Sequence, residues 1–271
     1  MSEAVRDYYD THAEQEWERL KTVRCTIEFA STLHLIGKYF PKQGRVCDIG
    51  GGPGRYTVEL AGQGYQVSLF DLSEEEVRLA RTRLDSLGLQ AEQLLVGDAR
   101  DLSSLVSGTF DAALLMGPMY HLTGADDRRA GLRELKRILK PGGLAIVAYL
   151  NSWGLIRTGV VDFPGWYNDI SVLRSMLEEH TFEAASMSGF TECYWSTPEA
   201  ALHEINAAGL EVVSRAGAEG FPGGMEPLLE KLQAQDPAAH ANLVRVAAET
   251  CELPQYRDAT AHLHIVVRKA G

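Results

Sequence analysis

The residues Val46-Cys47-Asp48-Ile49-Gly50-Gly51-Gly52-Pro53-Gly54 combine an acid at the close of a short apolar run with a Gly-x-Gly-x-Gly turn. Glycines at 50, 52 and 54 let the backbone turn tightly and approach a ligand closely. A helix starting near Gly54 points its free N–H groups into the same space. Asp71 ends a second apolar run, Val67-Ser68-Leu69-Phe70, and Asp98 follows a third in Val96-Gly97-Asp98-Ala99. A carboxylate at Asp71 can accept from both hydroxyls of a ribose. Asp98 can accept from an adenine amino group while the Ala99 N–H donates to the ring. Asp48 would repel a pyrophosphate but favour an ammonium or sulfonium group. The nicotinamide fingerprint Gly-x-Gly-x-x-Gly places a glycine where Arg55 stands, and the Walker pattern is absent. Each acid alone also reads as a helix N-cap. Three in register with a glycine turn point to a nucleoside ligand carrying a positive group.

These acids need parallel strands to bring them together. Strands are expected at about 45–49, 66–70, 92–96, 110–116 and 143–150, with helices between them. Ser73-x-x-Glu76 caps a helix bearing Val77, Ala80, Leu84 and Leu87, which Gly88 stops. Another helix, about 125–139, ends at Lys140-Pro141-Gly142-Gly143. Apolar strands alternating with helices imply right-handed crossovers and a parallel sheet. Upstream, Thr11-x-x-Glu14 reads as a capping box that opens a helix, and a second helix covers about 23–39. After 150 the rhythm changes. Residues 151–196 are rich in aromatics and glycine and read as a lid insertion. Thr197-Pro198 starts a helix ending at Gly209, followed by a strand at Glu211–Arg215. Asp236-Pro237 starts a helix within a second insertion, about 222–252. The run His262–Val267 closes the chain as a strand.

A chain of 271 residues with 45% hydrophobic and 23% charged residues is globular in composition and long enough for a sizeable core. Its net charge of -11 argues against a broad basic surface for nucleic acid. Arg78, Arg81 and Arg83 stand beside Glu74, Glu75 and Glu76 and read as a solvated helix face. The four cysteines are scattered without a C-x-x-C, so neither zinc nor a disulfide framework is expected. His262 and His264 share one strand face without further ligands at metal spacing. No apolar run approaches a membrane span, and no signal-peptide core opens the chain. A soluble, cytoplasmic protein with no membrane partner is the expectation.

The chain resembles the class I S-adenosylmethionine-dependent methyltransferases, of the bacterial small-molecule type. The resemblance rests on Asp48 to Gly54, Asp71-Leu72, Gly97-Asp98-Ala99, Phe110 to Met116 and Leu139 to Gly143. It covers about 45–150 and implies a Rossmann-like α/β fold. The sheet would be doubly wound, seven-stranded and mostly parallel, with an antiparallel last strand over His262–Arg268. Residues 1–40 would form an N-terminal helical lid and 41–271 the methyltransferase domain with its two insertions. The resemblance places Asp48 and the backbone of Gly50 and Gly52 by the methionine part of the cofactor, Asp71 by the ribose, and Asp98 and Ala99 by adenine; Gly54 and Leu72 complete the expected cofactor-binding set. The Met116 and Gly117 carbonyls would meet the methionine amino group. Tyr9, in Tyr8-Tyr9-Asp10, resembles a lid tyrosine that reaches the cofactor.

The segment Gly117-Pro118-Met119-Tyr120-His121-Leu122 resembles the corresponding element of small-molecule enzymes and lacks the Asn-Pro-Pro-Tyr or Asp-Pro-Pro-Tyr element of those acting on nucleobases or glutamine amides. His121 is the candidate base, since an imidazole of ordinary pKa suits neutral pH. Its alternative is to order the cofactor loop. Tyr120 is a candidate wall of the reaction site. Trp17 and Arg19 are candidates for the entrance. Trp153, Arg157, Trp166, Tyr167 and Trp195, together with Tyr194, form a candidate aromatic pocket for a planar or cationic acceptor. The expected activity is methyl transfer from S-adenosylmethionine, released as S-adenosylhomocysteine, to an N or O atom of a small-molecule metabolite, by a monomer or homodimer without metal. The rivals are an RNA or protein methyltransferase and a non-catalytic module that binds the cofactor.

Overall fold

The computed structural model describes residues 2–178, 181–182 and 191–271, with 181–182 described by their backbone alone. The N-terminal helices are α1 (Glu3–Arg19) and α2 (Val23–Tyr39). The core follows as β1 (Arg45–Ile49), α3 (Arg55–Gly62), β2 (Gln66–Asp71), α4 (Glu74–Ser86), β3 (Gln93–Val96), β4 (Phe110–Leu115), α5 (Pro118–His121), α6 (Ala125–Ile138) and β5 (Leu139–Asn151). The insertion expected to be a lid contains α7 (Ser152–Asp162), a 3-10 turn at Pro164–Asn168, α8 (Ile170–Glu178), β6 (Thr181–Phe182) and β7 (Cys193–Ser196). Then come α9 (Pro198–Ala207), β8 (Leu210–Gly217), α10 (Glu226–Gln235), α11 (Pro237–Glu249), α12 (Pro254–Arg257) and β9 (His262–Lys269).

The sheet runs β3-β2-β1-β4-β5 in parallel. Beyond β5 it continues with β9, antiparallel to β5, and β8, antiparallel to β9. These seven strands form the doubly wound sheet that the sequence implies, with β9 reversed. Strand β1 has a neighbour on each edge and helices over both faces. Its alternating side chains therefore enter two separate cores. Cys47 and Ile49 pack with Phe110, Leu132 and Leu135, whereas Val46 packs with Leu35, Ile36 and Leu60.

Three elements depart from the sequence reading. Helix α1 already begins at Glu3, capped by Ser2, rather than near Thr11. A kink at His12 (φ -115, ψ 16) falls beside the expected start. The His12 Nδ1–H donates to the Tyr8 carbonyl at 2.9 Å, and a side chain that engages the i−4 carbonyl bends a helix. Strand β5 begins at Leu139, so the expected turn at Lys140–Gly143 is a bulge between the pairs Phe110–Leu139 and Ala112–Leu144. Gly142 carries part of that bulge at φ 75. The lid adds β7, which pairs in parallel with Leu150 and Asn151 of β5. Since β9 takes the other edge of Leu150, β7 extends the edge that β4 occupies lower down.

The insertions have separate roles in packing. In the lid, Trp195, Leu150, Met176 and Cys193 form a small core flanked by Trp166. Part of this insertion, 179–180 and 183–190, lies outside the described residues. The second insertion lays α10 and α11 against α2, burying Val23, Ile27, Leu229 and Ala247. Each large aliphatic side chain buried there contributes on the order of 1.5–3 kcal/mol. That packing fixes α2 and, with it, Glu28 at the sheet's carboxyl edge.

Candidate active site

The glycine turn is built for close approach. Gly50, Gly52 and Gly54 adopt φ of 71°, 52° and 84°. A Cβ on Gly50 would lie 2.4 Å from Pro118 Cδ, so only glycine lets the β1 turn meet the β4 turn. A Cβ on Gly52 would meet nothing within 4 Å, because that face opens into a cavity. This cavity is partly open to solvent. It runs along the carboxyl ends of the strands, roofed by α1 and walled by α2.

Asp71 ties the turn to the next helix. Its Oδ2 accepts from Gly52 N at 2.8 Å and its Oδ1 from Ser73 N at 2.9 Å. Burial pushes this carboxyl up from its ordinary range, while the backbone N–H groups pull against that. Each oxygen keeps acceptor capacity toward the cavity. Because Asp71 takes the Ser73 N–H, the expected capping box at Ser73–Glu76 is only half made. Ser73 Oγ accepts from Glu76 N at 3.1 Å, but the Glu76 carboxyl turns toward the cavity.

Asp48 lies behind the turn and does not line the cavity. It is fully buried, and Thr57 Oγ1 donates to its Oδ2 at 2.7 Å. Its Oδ1 is buried with no hydrogen-bond partner among the described residues. Burial raises its carboxyl to about 6; Asp71 adds to this, and the Thr57 bond opposes it. Gly54 packs on Ala80 and does not line the cavity. Asp98 and Ala99 also lie away from it. Ala99 is buried in the core, and Asp98 binds the Arg100 guanidinium at 2.7 Å. Burial alone would raise the Asp98 carboxyl, but Arg100 holds it down to about 2.

Tyr9, Gly50, Gly52, Asp71, Leu72, Met116, Gly117, Tyr120 and His121 of the expected set all line the cavity. Helix α1 delivers Tyr9 because it is pinned to α4: Ser73 Oγ donates to Asp10 Oδ1 at 2.5 Å. Arg83 of α4 stacks over the Trp17 ring at 4.0 Å. Trp17 therefore packs between helices, while Arg19 reaches the cavity and donates to Glu16 at 2.7 Å.

His121 has a defined tautomer. Its Nδ1 lies 3.0 Å from the Glu192 carbonyl, which can only accept. The hydrogen therefore sits on Nδ1, and Nε2 accepts from the Tyr9 hydroxyl at 2.8 Å. Burial lowers the ring to about 4, so it is neutral at pH 7. Tyr120 stands edge-on to it, with centroids 4.9 Å apart.

The five residues expected to form an aromatic acceptor pocket do not line this cavity. Trp195 and Trp166 pack into the lid's own core. Trp153, Arg157 and Tyr167 face solvent. Aromatic content alone does not distinguish the packing of a lid from the lining of a pocket. The sequence reading instead missed Glu16, Glu28, Glu76 and His262, which do line the cavity. The signal for Glu28 was an acid on the apolar helix α2. His262 and His264 alternate on one strand face, but their partners come from distant segments.

Residues 46–143 match the family described as a methyltransferase domain. That domain and the sheet built on it are those of an S-adenosylmethionine-dependent methyltransferase, consistent with class I. It is 24% identical to the tRNA 5-carboxymethoxyuridine methyltransferase of Escherichia coli O157:H7 over 237 residues, 87% of this chain and 84% of that one. It is 34% identical to the ubiquinone biosynthesis O-methyltransferase of Xanthomonas axonopodis pv. citri (strain 306) over 118 residues, 44% of this chain and 48% of that one. The Burkholderia thailandensis 1,6-didemethyltoxoflavin-N1-methyltransferase was solved with 1,6-didemethyltoxoflavin and S-adenosylhomocysteine. It superposes with a TM-score of 0.57 at 16% identity, covering 99% of this chain and 88% of that one. The methyltransferase uses S-adenosylmethionine, and its residues fit that cofactor. The glycine face is open, Asp71 has acceptor capacity to spare, and the buried Asp48 places an acid beneath a cationic ligand. Among the described residues no helix is long and apolar enough to cross a membrane.

Proposed function

We propose that this methyltransferase acts on an N or O atom of a small-molecule metabolite in a cytoplasmic setting. The observation that carries the reading is the cavity itself, which continues past the glycine turn beneath helix α1. Residues of α1, α2 and the turns after β1, β2 and β4 line this one partly enclosed space, which suits a cofactor beside a compact acceptor. In this reading Asp71 receives the ribose hydroxyls and Leu72 packs on the adenine. The Gly50, Met116 and Gly117 carbonyls face the methionine amino group.

When bound, S-adenosylmethionine supplies an electrophilic methyl on a good leaving group. The protein's part is to align the acceptor in line, exclude water and take a proton. His121 offers one basic nitrogen, and it faces the Tyr9 hydroxyl. A proton leaving the acceptor therefore passes to the Tyr9 oxygen while Tyr9 gives its own to His121 Nε2. An imidazolium is costly in so buried a place, so the relay suits an acceptor whose acidity rises sharply once methylated. Tyr120 walls the acceptor side.

A tRNA acceptor is the second reading, favoured by the Escherichia coli relative that aligns over most of its length. The net charge of -11 weighs against it, since nucleic-acid binding neutralises phosphates with clustered Lys and Arg. The two are separated by incubating the protein and methyl-labelled S-adenosylmethionine with a low-molecular-weight metabolite extract or with total tRNA. Label in small molecules is the expected outcome. Label confined to tRNA would overturn the proposal.

A further inference from the structure

The cavity extends well beyond its cofactor end. Gly52 follows β1 and Asp71 ends β2, whereas His262 opens β9 on the far side of β4 and β5. Neighbouring strands lie about 4.8 Å apart, so β1 and β9 are separated by about 14 Å and β2 and β9 by about 19 Å. His262 and Glu28 nevertheless line the same cavity as Gly52 and Asp71.

Both far residues are held in place. Glu219 is 1% exposed. It accepts from His262 N at 3.2 Å and from the ring Nδ1–H at 2.6 Å. That fixes the imidazole and leaves Nε2 without a hydrogen-bond partner among the described residues. Glu28 sits on α2, with His264 Nε2 at 3.6 Å from its Oε1, just outside hydrogen-bond reach. Burial opposes both charges. Even so, Glu28 and Glu219 hold the His262 ring up at about 9, and the two histidines hold the Glu28 carboxyl down at about 2. At pH 7 the far end thus presents a fixed carboxylate and a fixed imidazolium N–H donor. Tyr120, with its ring centroid 6.3 Å from that of His262, and Tyr56 also line the cavity. A purely anionic ligand would be attracted by one of these charges and repelled by the other, and so would a purely cationic one. A neutral group with a donor beside an acceptor satisfies both.

We propose that Glu28 and His262 form an acceptor subsite for a planar, lactam-like ring. Its N–H donates to Glu28, its carbonyl oxygen accepts from His262 Nε2–H, and Tyr120 and Tyr56 flank its faces. The proposal rests on the methyltransferase reading of the cavity. It deepens that reading by naming the acceptor's recognition edge.

Quinolin-2(1H)-one and coumarin test it, because they share ring size and carbonyl and differ by an N–H in place of a ring oxygen. Their affinities are measured by calorimetry on the full chain loaded with S-adenosylhomocysteine. The expected result is about tenfold or greater preference for the quinolinone, since a site built to bond an N–H rejects the analogue that lacks it. Glu28→Met should bring the preference to about one while S-adenosylhomocysteine affinity stays within about twofold. His262→Gln should weaken both probes alike, because both carry the carbonyl; this second variant keeps the test decisive if Glu28→Met does not fold. Equal affinities, or no binding of either probe, would overturn the subsite. So would a Glu28→Met that loses S-adenosylhomocysteine but keeps the preference. Failure of the unmodified chain to bind S-adenosylhomocysteine is a different result, and would remove the cofactor reading along with the subsite.

Discussion

Glu76→Gln is predicted to stabilise the protein. Glu76 is 1% exposed, and neither carboxyl oxygen has a hydrogen-bond partner among the described residues. Burial raises its pKa from 4.5 to about 9, with Asp71 and Glu16 adding to the effect. At pH 7 the side chain is therefore protonated when folded and ionised when unfolded. Unfolding then releases a proton, and stability falls as pH rises above 4.5 until the folded pKa is reached. Each pH unit costs about 1.4 kcal/mol, and pH 7 lies about 2.5 units above the unfolded value, so the penalty there is about 3 kcal/mol. Glutamine keeps the shape without the proton linkage. Urea unfolding of both proteins at about pH 5, 6, 7 and 8 checks this. The variant's advantage should be small at the acid end and widen by about 1.4 kcal/mol per unit. A gap that does not change with pH, or a less stable variant at every pH, would refute the reasoning.

Gly50→Ala should lower stability by about 2–4 kcal/mol in thermal or denaturant melts, since φ is positive and the new Cβ would strike the Pro118 ring. Asp71→Ala removes the acceptor for Gly52 N and Ser73 N and should weaken S-adenosylhomocysteine binding about hundredfold in calorimetry; near-normal affinity would count against the ribose assignment. Proton NMR of the histidine rings should show His121 titrating near 4 and His262 near 9. The signs of the linked stabilities are opposite. The His121 contribution is present above 6.5 and lost as pH falls toward 4, whereas that of His262 is present below 6.5 and lost as pH rises through 9.

The cofactor half of the site was legible because its residues lie within local patterns. Apolar runs closing on Asp48 and Asp71, and a glycine turn between β1 and α3, place these groups at one sheet edge before any contact is known. The Ser73 cap, the Thr197-Pro198 start and the Asp236-Pro237 start were likewise local signals, and each cap bond is formed. The acceptor half was not legible. Glu28 meets His264 across more than two hundred residues, and Glu219 meets His262 through a pairing that β8 and β9 set. An acid within the apolar run Ile27-Glu28-Phe29-Ala30 is the one local signal for Glu28, and it does not say what the carboxylate meets. The Ser73–Glu76 spacing suggests a capping box, and only the competing bond from Ser73 N to Asp71 shows why the Glu76 carboxyl is free to turn inward. The lid aromatics misled because Trp195 and Trp166 satisfy each other and their neighbours, a use of aromatic residues that composition does not separate from ligand binding.

The bend at His12 divides helix α1 into a forward piece carrying Tyr9 and a rear piece carrying Glu16 and Arg19. The forward piece is latched by Asp10, and the rear piece is clamped through Trp17. Both pieces are thereby anchored at α4, so the helix presents the Tyr9 hydroxyl to His121 Nε2 from a segment held on either side of its bend.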